Sequence, residues 1–153
     1  MAARRAFLEA GHYLPLAESL SLLIASHKPE KTLALYDAGC GEGYYLAAIT
    51  AALIQSGIKI TAAGNDISKP AIEKAAKKYK ELGFAIASNF KIPVVSASQS
   101  VVLQVFAPVA ASEMRRVLVD DGIWLQVSPA QEHLTQLRQA VYETAHDHVV
   151  DDV

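Results

Sequence analysis

Three glycines fall within five positions of the segment "LYDAGCGEGYYLAAI", which occupies residues 35–49. An apolar run precedes them, and a stretch with apolar residues at helical spacing follows, so the cluster lies at a strand-to-helix turn. Gly39, Gly41 and Gly43 therefore tie this part of the chain to an α/β arrangement. They either admit a ligand close to the backbone or only allow a tight turn, and the segment alone leaves both interpretations open.

The rest of the chain alternates between short apolar runs and helical patterns. Strands that alternate with helices predict a doubly wound parallel α/β sheet of the Rossmann-like class. The carboxyl ends of its strands then meet at one edge, where open α/β folds bind ligands. The predicted strands cover 33–39, 59–66, 84–88, 100–108 and 122–129, and the predicted helices begin at Pro15 and cover 44–54, 68–82, 111–120 and 131–146.

Local signals mark the boundaries of two of these helices. Ser68 is expected to cap the helix over 68–82, with Pro70 in its first turn and Gly83 after its end. The helix that begins at Pro15 is expected to bury one apolar face. That face comprises Leu16, Leu20, Leu23 and Ile24.

Length and composition limit the function classes. A chain of 153 residues predicts one domain, and its net charge of −2 gives no electrostatic argument for nucleic acid. The sole cysteine, Cys40, excludes an internal disulfide and a cysteine-based zinc site. His146 and His148, with Asp147 between them, fit a solvated terminal segment better than a metal site, so no metal is expected. No apolar run approaches the length of about 18 residues that a membrane span needs. The composition therefore predicts a cytoplasmic protein that does not bind a membrane.

The residues around the glycines distinguish between adenosine cofactors. A dinucleotide fingerprint needs a third glycine where this chain has Tyr44. Asp37, two residues before the first glycine, suits a cationic ligand, and S-adenosylmethionine carries both a sulfonium and an ammonium group. Asp66 ends the next predicted strand, where an acidic residue holds ribose hydroxyls. We therefore expect an S-adenosylmethionine site and not a dinucleotide site.

Five segments, taken in order, resemble the bacterial large-subunit rRNA guanine-N1 methyltransferases: "RRAFLEAGHYLPL", "DAGCGEGYY", "DISKPAIEKAAKKY", "IASNFKIP" and "VFAPVAASEMRRVL". These S-adenosylmethionine enzymes modify a 23S rRNA hairpin loop. The resemblance extends from Arg4 to about His148. The glycine segment specifies only the methyltransferase superfamily, whereas the arginine-rich lead-in, with Gly11, Tyr13 and Pro15, narrows the resemblance to this family.

The resemblance implies site residues along the chain. Residues 1–32 would form a helical lead-in that closes over the site, and 33–153 the S-adenosylmethionine-binding core. Tyr13 would cover the cofactor, and His133 would lie beside it. The other implied positions, from the methionine end of the cofactor to its adenine edge, are Gly41, Glu42, Asp66, Ile67, Ser88 and Asn89.

Three of these residues have an equally simple structural interpretation. Tyr13 is also typical of an aromatic residue that packs the N-terminal segment. Glu42 is an acid in the first turn of a helix, where the helix dipole favours it. His133 occupies the start of a predicted helix, where a surface histidine is as common as one that faces a ligand. The sequence alone does not decide between these roles.

The segment after the fourth predicted strand bears on the substrate. Many methyltransferases that act on amino groups carry Asp/Asn-Pro-Pro-aromatic there, whereas this chain has "VFAP" at 105–108. The missing polar group argues against an exocyclic amine and agrees with a ring nitrogen. A base that enters at this edge is expected to face Phe106, on which it would stack, and Pro108. A proton must leave guanine N1, but the sequence identifies no catalytic base.

The chain departs from the family in several places. It lacks the N-terminal four-cysteine zinc module and the two strands that follow the fifth βα unit, and it has Gln104 where relatives carry an arginine. We therefore expect the cofactor-binding core of a larger enzyme, truncated after the fifth βα unit, that meets 23S rRNA through the parent protein. Its open sheet edge would favour a homodimer. The alternatives are a divergent relative that has lost RNA binding, a small-molecule methyltransferase, or a non-catalytic S-adenosylmethionine-binding module.

Overall fold

The structure is a computed structural model that describes residues 10–28 and 31–130. Within these ranges helices and strands alternate along most of the chain. They are α1 (Leu14–His27), β1 (Thr32–Ala38), α2 (Tyr44–Gln55), β2 (Lys59–Asp66), α3 (Lys69–Lys78), β3 (Gly83–Ile86), β4 (Gln99–Val105), α4 (Ala111–Val117) and β5 (Leu118–Val127).

The five strands form one parallel sheet in the order β3-β2-β1-β4-β5. The order reverses beside β1, the first strand in the chain, which pairs with β2 on one side and β4 on the other. This arrangement confirms the predicted doubly wound α/β class. Ligands of such sheets bind where the order reverses, beyond the carboxyl ends of the strands. The predicted helix over 131–146 lies outside the described residues.

Alternate side chains of a strand point to opposite faces of the sheet, so apolar strands leave two apolar faces to bury. Helices cover both faces. One face packs against α1 and α2, and its buried residues include Leu35, Leu46 and Leu103. The other face packs against α4, with Tyr36 and Met114 among its buried residues. Burial on both faces explains why the strand sequences are continuously apolar.

Helix α1 packs three of the four predicted apolar residues against the core, with Leu16 half-buried. Leu20 and Ile24 are buried as expected, but Leu23 is 44% exposed. The remaining buried positions are the small residues Ala17 and Ser21, which allow α1 to pack closely against α2. The Ser21 hydroxyl donates to the Ala17 carbonyl at 2.8 Å, so its burial leaves the donor satisfied.

The predicted start of α3 is confirmed, since the Ser68 side chain accepts the backbone N–H of Ala71 and Pro70 lies in the first turn, but the helix ends at Lys78 and not at residue 82. The prediction for the region before the last described strand is wrong. Helix α4 ends at Val117, and β5 begins at once, at Leu118 instead of residue 122. Leu118 already pairs with Gln99 before the register shifts, so pairing across the sheet overrides the local helical pattern.

A buried lysine joins the end of α1 to β5. Lys28, directly after α1, is 4% exposed, and its ammonium donates to the Asp121 carboxylate at 2.8 Å and to the Asp121 carbonyl at 3.1 Å. The ammonium lowers the pKa of the Asp121 carboxyl group.

Across the described part of the chain, no helix has the length and apolar character needed to cross a membrane.

Candidate functional site

The carboxyl ends of β1 and β2 bring two acidic residues to one edge of the sheet. Asp37 is the next-to-last residue of β1 and Asp66 the last residue of β2, and the two strands pair in parallel. The loop after β1 is bonded to the end of β2, because the N–H groups of Gly39 and Cys40 both donate to the Asn65 carbonyl, at 2.9 and 2.8 Å. The loop and both carboxylates therefore occupy the region where open sheets of this class bind ligands.

The glycines of this loop all have positive φ, at +85° for Gly39, +56° for Gly41 and +79° for Gly43. A Cβ atom at residue 39 would lie 2.4 Å from the Cβ of Ala107, and one at residue 43 would lie 3.0 Å from the ring of Phe84. Backbone conformation and packing within the protein therefore account for glycine at 39 and 43. At these two positions, a side chain is excluded by the protein itself.

Both oxygens of the Asp66 carboxylate accept backbone N–H groups. Oδ2 accepts from Gly41 at 2.9 Å and Oδ1 accepts from Ser68 at 2.8 Å. These contacts fix the carboxylate between the glycine loop and the start of α3. A carboxylate has about four acceptor positions, so its remaining lone pairs are available to hydroxyl groups.

Asp37 is 1% exposed, and its Oδ1 has no hydrogen-bond partner within the described ranges. Burial, and then the nearby negative charge of Asp66, raise the pKa of the Asp37 carboxyl group to about 7. A buried carboxylate oxygen without a partner is costly, so this position suits a cationic group supplied by a ligand. That Asp37 meets a cationic ligand, as expected from its place before the glycines, stays a prediction.

Glu42 forms an ion pair that the sequence does not indicate. Its Oε1 lies 3.3 Å from Nζ of Lys74, and the two side chains are 20% and 39% exposed. Lysines at helical spacing ordinarily form a solvated face, but Lys74 reaches across from α3 to the glycine loop. The pairing depends on how α3 packs, which the lysine spacing alone does not reveal.

Cys40, between the first two glycines, is buried and reduced. Burial, followed by the charges of Asp37 and Asp66, raises the pKa of its thiol far above the ordinary range. The thiol is therefore protonated at neutral pH, and it is not a nucleophile. Its side chain fills the space next to Gly64, where an added Cβ would lie 2.9 Å from the Cβ of Cys40.

The expected adenine-binding residues are in different environments. Ile67 is 79% exposed, so its apolar surface is open to a flat ring. The Ser88 hydroxyl oxygen accepts the N–H of Phe90 at 3.2 Å. Asn89 is 7% exposed, and its amide is engaged by the protein, donating to the Pro108 carbonyl and accepting from Asn65.

Aromatic side chains connect the lead-in with the loop after β4. The ring of Tyr13 meets the rings of Tyr45 and Phe106 edge-on, at centroid distances of 6.3 and 6.1 Å. Phe106 is 41% exposed and has a φ of +53°, which is uncommon for any residue other than glycine. Pro108 is also exposed, so both residues expected to face the substrate lie at the surface. Tyr13 thus contacts the same loop that is expected to face the substrate.

Two buried amides at this edge were missed by the sequence reasoning. Asn65 and Gln104 are both 0% exposed, at the carboxyl ends of β2 and β4. The sequence did show that Gln104 departs from an arginine, but not that its side chain turns inward.

His133 lies outside the described residues. Among residues 10–28 and 31–130, no three His, Cys, Asp or Glu side chains are grouped in a way that could hold a metal ion.

Comparison with known proteins identifies the family. Residues 36–125 match the methyltransferase domain family. The chain is 36% identical over 152 residues to a Micromonospora griseorubida protein named as a candidate 23S rRNA (guanine-N(1)-)-methyltransferase, with 90% of this chain and 50% of that protein covered. It is 33% identical to the 23S rRNA (guanine(748)-N(1))-methyltransferase of Streptomyces fradiae, with 92% and 50% covered. The chain spans about half the length of these curated relatives.

Solved structures support the same fold. Streptomyces venezuelae DesVI superimposes with a TM-score of 0.68 at 20% identity, over 85% of this chain and 57% of that one. The PH0226 protein of Pyrococcus horikoshii superimposes with a TM-score of 0.64 at 22% identity, over 84% and 60%. The chain belongs to the methyltransferase domain family and has the class I, Rossmann-like methyltransferase fold, and its cofactor is S-adenosylmethionine.

Proposed function

We propose that this chain is the S-adenosylmethionine-binding core of an enzyme that methylates ring N1 of a guanine in 23S rRNA. Two observations support the substrate. The relatives that match about nine-tenths of the chain carry 23S rRNA guanine-N1 methyltransferase names. The loop after β4 also carries no polar side chain of the kind that grips an exocyclic amine.

The observation that carries the cofactor part of the proposal is the unpartnered buried carboxylate of Asp37. S-adenosylmethionine has an ammonium group on its methionine end, which would supply the donor that Asp37 Oδ1 lacks. Asp66, held by Gly41 and Ser68, would accept ribose hydroxyls with its remaining lone pairs. The residues present therefore fit this cofactor.

The remaining assignments concern the adenine ring and the side chain that would cover the site. Ile67, with its exposed apolar side chain, would cover the adenine ring. Tyr13 of the lead-in would close over the site from the side of Phe106. The full set assigned to the cofactor is Tyr13, Asp37, Gly39, Gly41, Glu42, Gly43, Asp66, Ile67, Ser88, Asn89 and His133.

S-adenosylmethionine supplies a methyl group that is activated by its sulfonium. The transfer is an in-line displacement, so the main task of the protein is alignment in a site that excludes water. Asp37 would hold the cationic end, Asp66 the ribose, and Phe106 the incoming base. The proton of guanine N1 needs an acceptor, and none of these residues is assigned that role.

The wider organisation is also part of the proposal. Residues 1–32 would act as the lead-in that closes the site and 33–153 as the core. The enzyme would work in the cytoplasm, where it meets rRNA through the longer parent protein. β5 forms one edge of the sheet, and its half-buried residues 122–127 offer a surface for further strands or for a second copy in a homodimer.

Calorimetric titration with S-adenosylhomocysteine, in parallel with NADH, tests the cofactor. We expect micromolar binding of the first and none of the second. Transfer of a labelled methyl group to a 23S rRNA hairpin by the full-length protein then tests the substrate. Methylation of small molecules without RNA would favour a small-molecule methyltransferase. Cofactor binding without any transfer by the full-length protein would favour a non-catalytic module.

A further inference from the structure

The side chain of Gln104 forms hydrogen bonds with the loop at 106–108. Nε2 of this fully buried glutamine donates to the Ala107 carbonyl at 3.3 Å and also to the Pro108 carbonyl. Nδ2 of Asn89 donates to the same Pro108 carbonyl at 3.3 Å. A carbonyl oxygen has two lone pairs, so both acceptor positions of Pro108 are used within the protein.

This contact belongs to a network of buried amides that spans the end of the sheet. Nδ2 of Asn65, at the end of β2, donates to Oδ1 of Asn89 at 2.9 Å and to the Ala87 carbonyl at 2.9 Å. Asn89 then connects to Pro108, which Gln104 holds from the end of β4. The loop is thus fixed by side chains from three neighbouring regions of the site.

The network explains the unusual backbone at Phe106. Its φ of +53° persists although the side chain is aromatic, because the residues on both sides are fixed. The Phe106 N–H donates to the Val127 carbonyl at 2.9 Å, and the next residue, Ala107, packs against Gly39. The ring that results is 41% exposed and meets Tyr13.

We propose that Gln104 is a positioning residue for the substrate. Its hydrogen bonds turn the carbonyls of Ala107 and Pro108 inward, so that the loop presents the Phe106 ring as a stacking surface for a planar base. An exocyclic amine needs acceptors to orient its hydrogens, and both acceptor positions of the Pro108 carbonyl are already used by Gln104 and Asn89. A flat ring needs only an exposed aromatic face. This inference rests on the proposed function, because it names how the same site would recognise its base.

The hold of Gln104 on the loop is tested by amide hydrogen exchange at Phe106, measured by NMR on the 153-residue chain. Gln104→Met keeps the length of the side chain but removes the donor. We expect the exchange of the Phe106 amide to accelerate about tenfold or more, because the loop loses two hydrogen bonds. Gln99→Met, at the opposite end of β4, is the matched control and is expected to leave this exchange unchanged. Equal exchange in wild type and Gln104→Met would overturn the proposal.

The stacking role is tested by titration with guanosine 5′-monophosphate in the presence of saturating S-adenosylhomocysteine. We expect shifts at the Phe106 resonances, and an affinity that falls about threefold or more in both Gln104→Met and Phe106→Leu. Ribose 5-phosphate, which has no base, is expected to cause none of these shifts. Absence of shifts with the wild type, or equal affinity in all three proteins, would overturn the stacking role.

The two proposals fail in different ways. Failure of the wild type to bind S-adenosylhomocysteine would contradict the proposed function, while the exchange at Phe106 would still report whether Gln104 holds the loop. If the wild type binds S-adenosylhomocysteine and the exchange is unchanged in Gln104→Met, only the positioning role is wrong. Binding of S-adenosylhomocysteine with normal affinity by Gln104→Met would show that the substitution leaves the cofactor site intact.

Discussion

The carboxylate of Asp66 accepts the backbone N–H of Gly41 at 2.9 Å, which bonds the end of β2 to the glycine loop that follows β1. Its other oxygen accepts the N–H of Ser68 at 2.8 Å and so fixes the start of α3. The acidic residue proposed to hold the ribose therefore also organises the loop proposed to hold the methionine. Stability and cofactor affinity are expected to depend on the same side chain.

Asp66→Asn keeps one acceptor oxygen and replaces the other with an amide nitrogen, so one of the two N–H groups loses its acceptor. We expect the free energy of unfolding to fall by about 1–3 kcal/mol, the range for a buried donor that is left without an acceptor. The affinity for S-adenosylhomocysteine should fall about 10- to 100-fold. Urea denaturation and calorimetry measure the two effects. Asp120→Asn, at an exposed position of β5, is the control and should change stability by less than about 0.5 kcal/mol.

An Asp66→Asn protein that is less stable but binds the cofactor product as well as the wild type does would contradict the proposed ribose contact. The carboxylate would then serve only to organise the loop.

Stability is expected to depend on pH through Asp37, whose folded-state pKa is raised from 3.8 to about 7. Between these values the folded protein holds a proton that the unfolded chain releases, so stability is fully present below about pH 4 and falls as the pH rises towards 7. The loss is at most on the order of 4 kcal/mol. Asp37→Asn cannot ionise, so urea midpoints measured from pH 4 to 8 should lose this decline. An unchanged decline in the variant would assign it to other groups.

The overall architecture could be predicted from local patterns, because alternating apolar runs and helical spacing specify a parallel sheet, and Ser68 with Pro70 specifies the start of α3. The start of β5 at Leu118 could not, since pairing with Gln99 decides it. The acidic and glycine positions of the candidate site were also visible in the chain. The amides were not, because Gln104 meets partners whose positions depend on the packed loop.

Gly39 and Gly57 allow the role of close packing to be separated from that of backbone conformation. Both have a φ of +85°, but a Cβ at residue 57 has nothing within 4 Å, whereas one at residue 39 would lie 2.4 Å from the Cβ of Ala107. Gly57→Ala should therefore cost about 1–2 kcal/mol from strain alone. Gly39→Ala should cost more, by about 1–3 kcal/mol, because the contact with Ala107 must open.

Urea denaturation of both alanine variants at one pH measures the difference. Equal losses would show that the 106–108 loop moves away from residue 39 without cost, which would argue against a rigid loop. The exchange of the Phe106 amide in Gly39→Ala provides a second measurement, and we expect it to be faster than in Gly57→Ala.

Tyr13 joins the lead-in to the loop after β4 through its edge-on contact with Phe106. If the lead-in closes over the cofactor, Tyr13→Ala should release S-adenosylhomocysteine about tenfold faster, because the loss of aromatic contacts with Tyr45 and Phe106 costs about 1–3 kcal/mol. Tyr13→Phe keeps the ring and is expected to restore slow release. Stopped-flow displacement measures both rates. Release from Tyr13→Ala at the wild-type rate, together with lower stability, would mean that Tyr13 only packs the N-terminal segment.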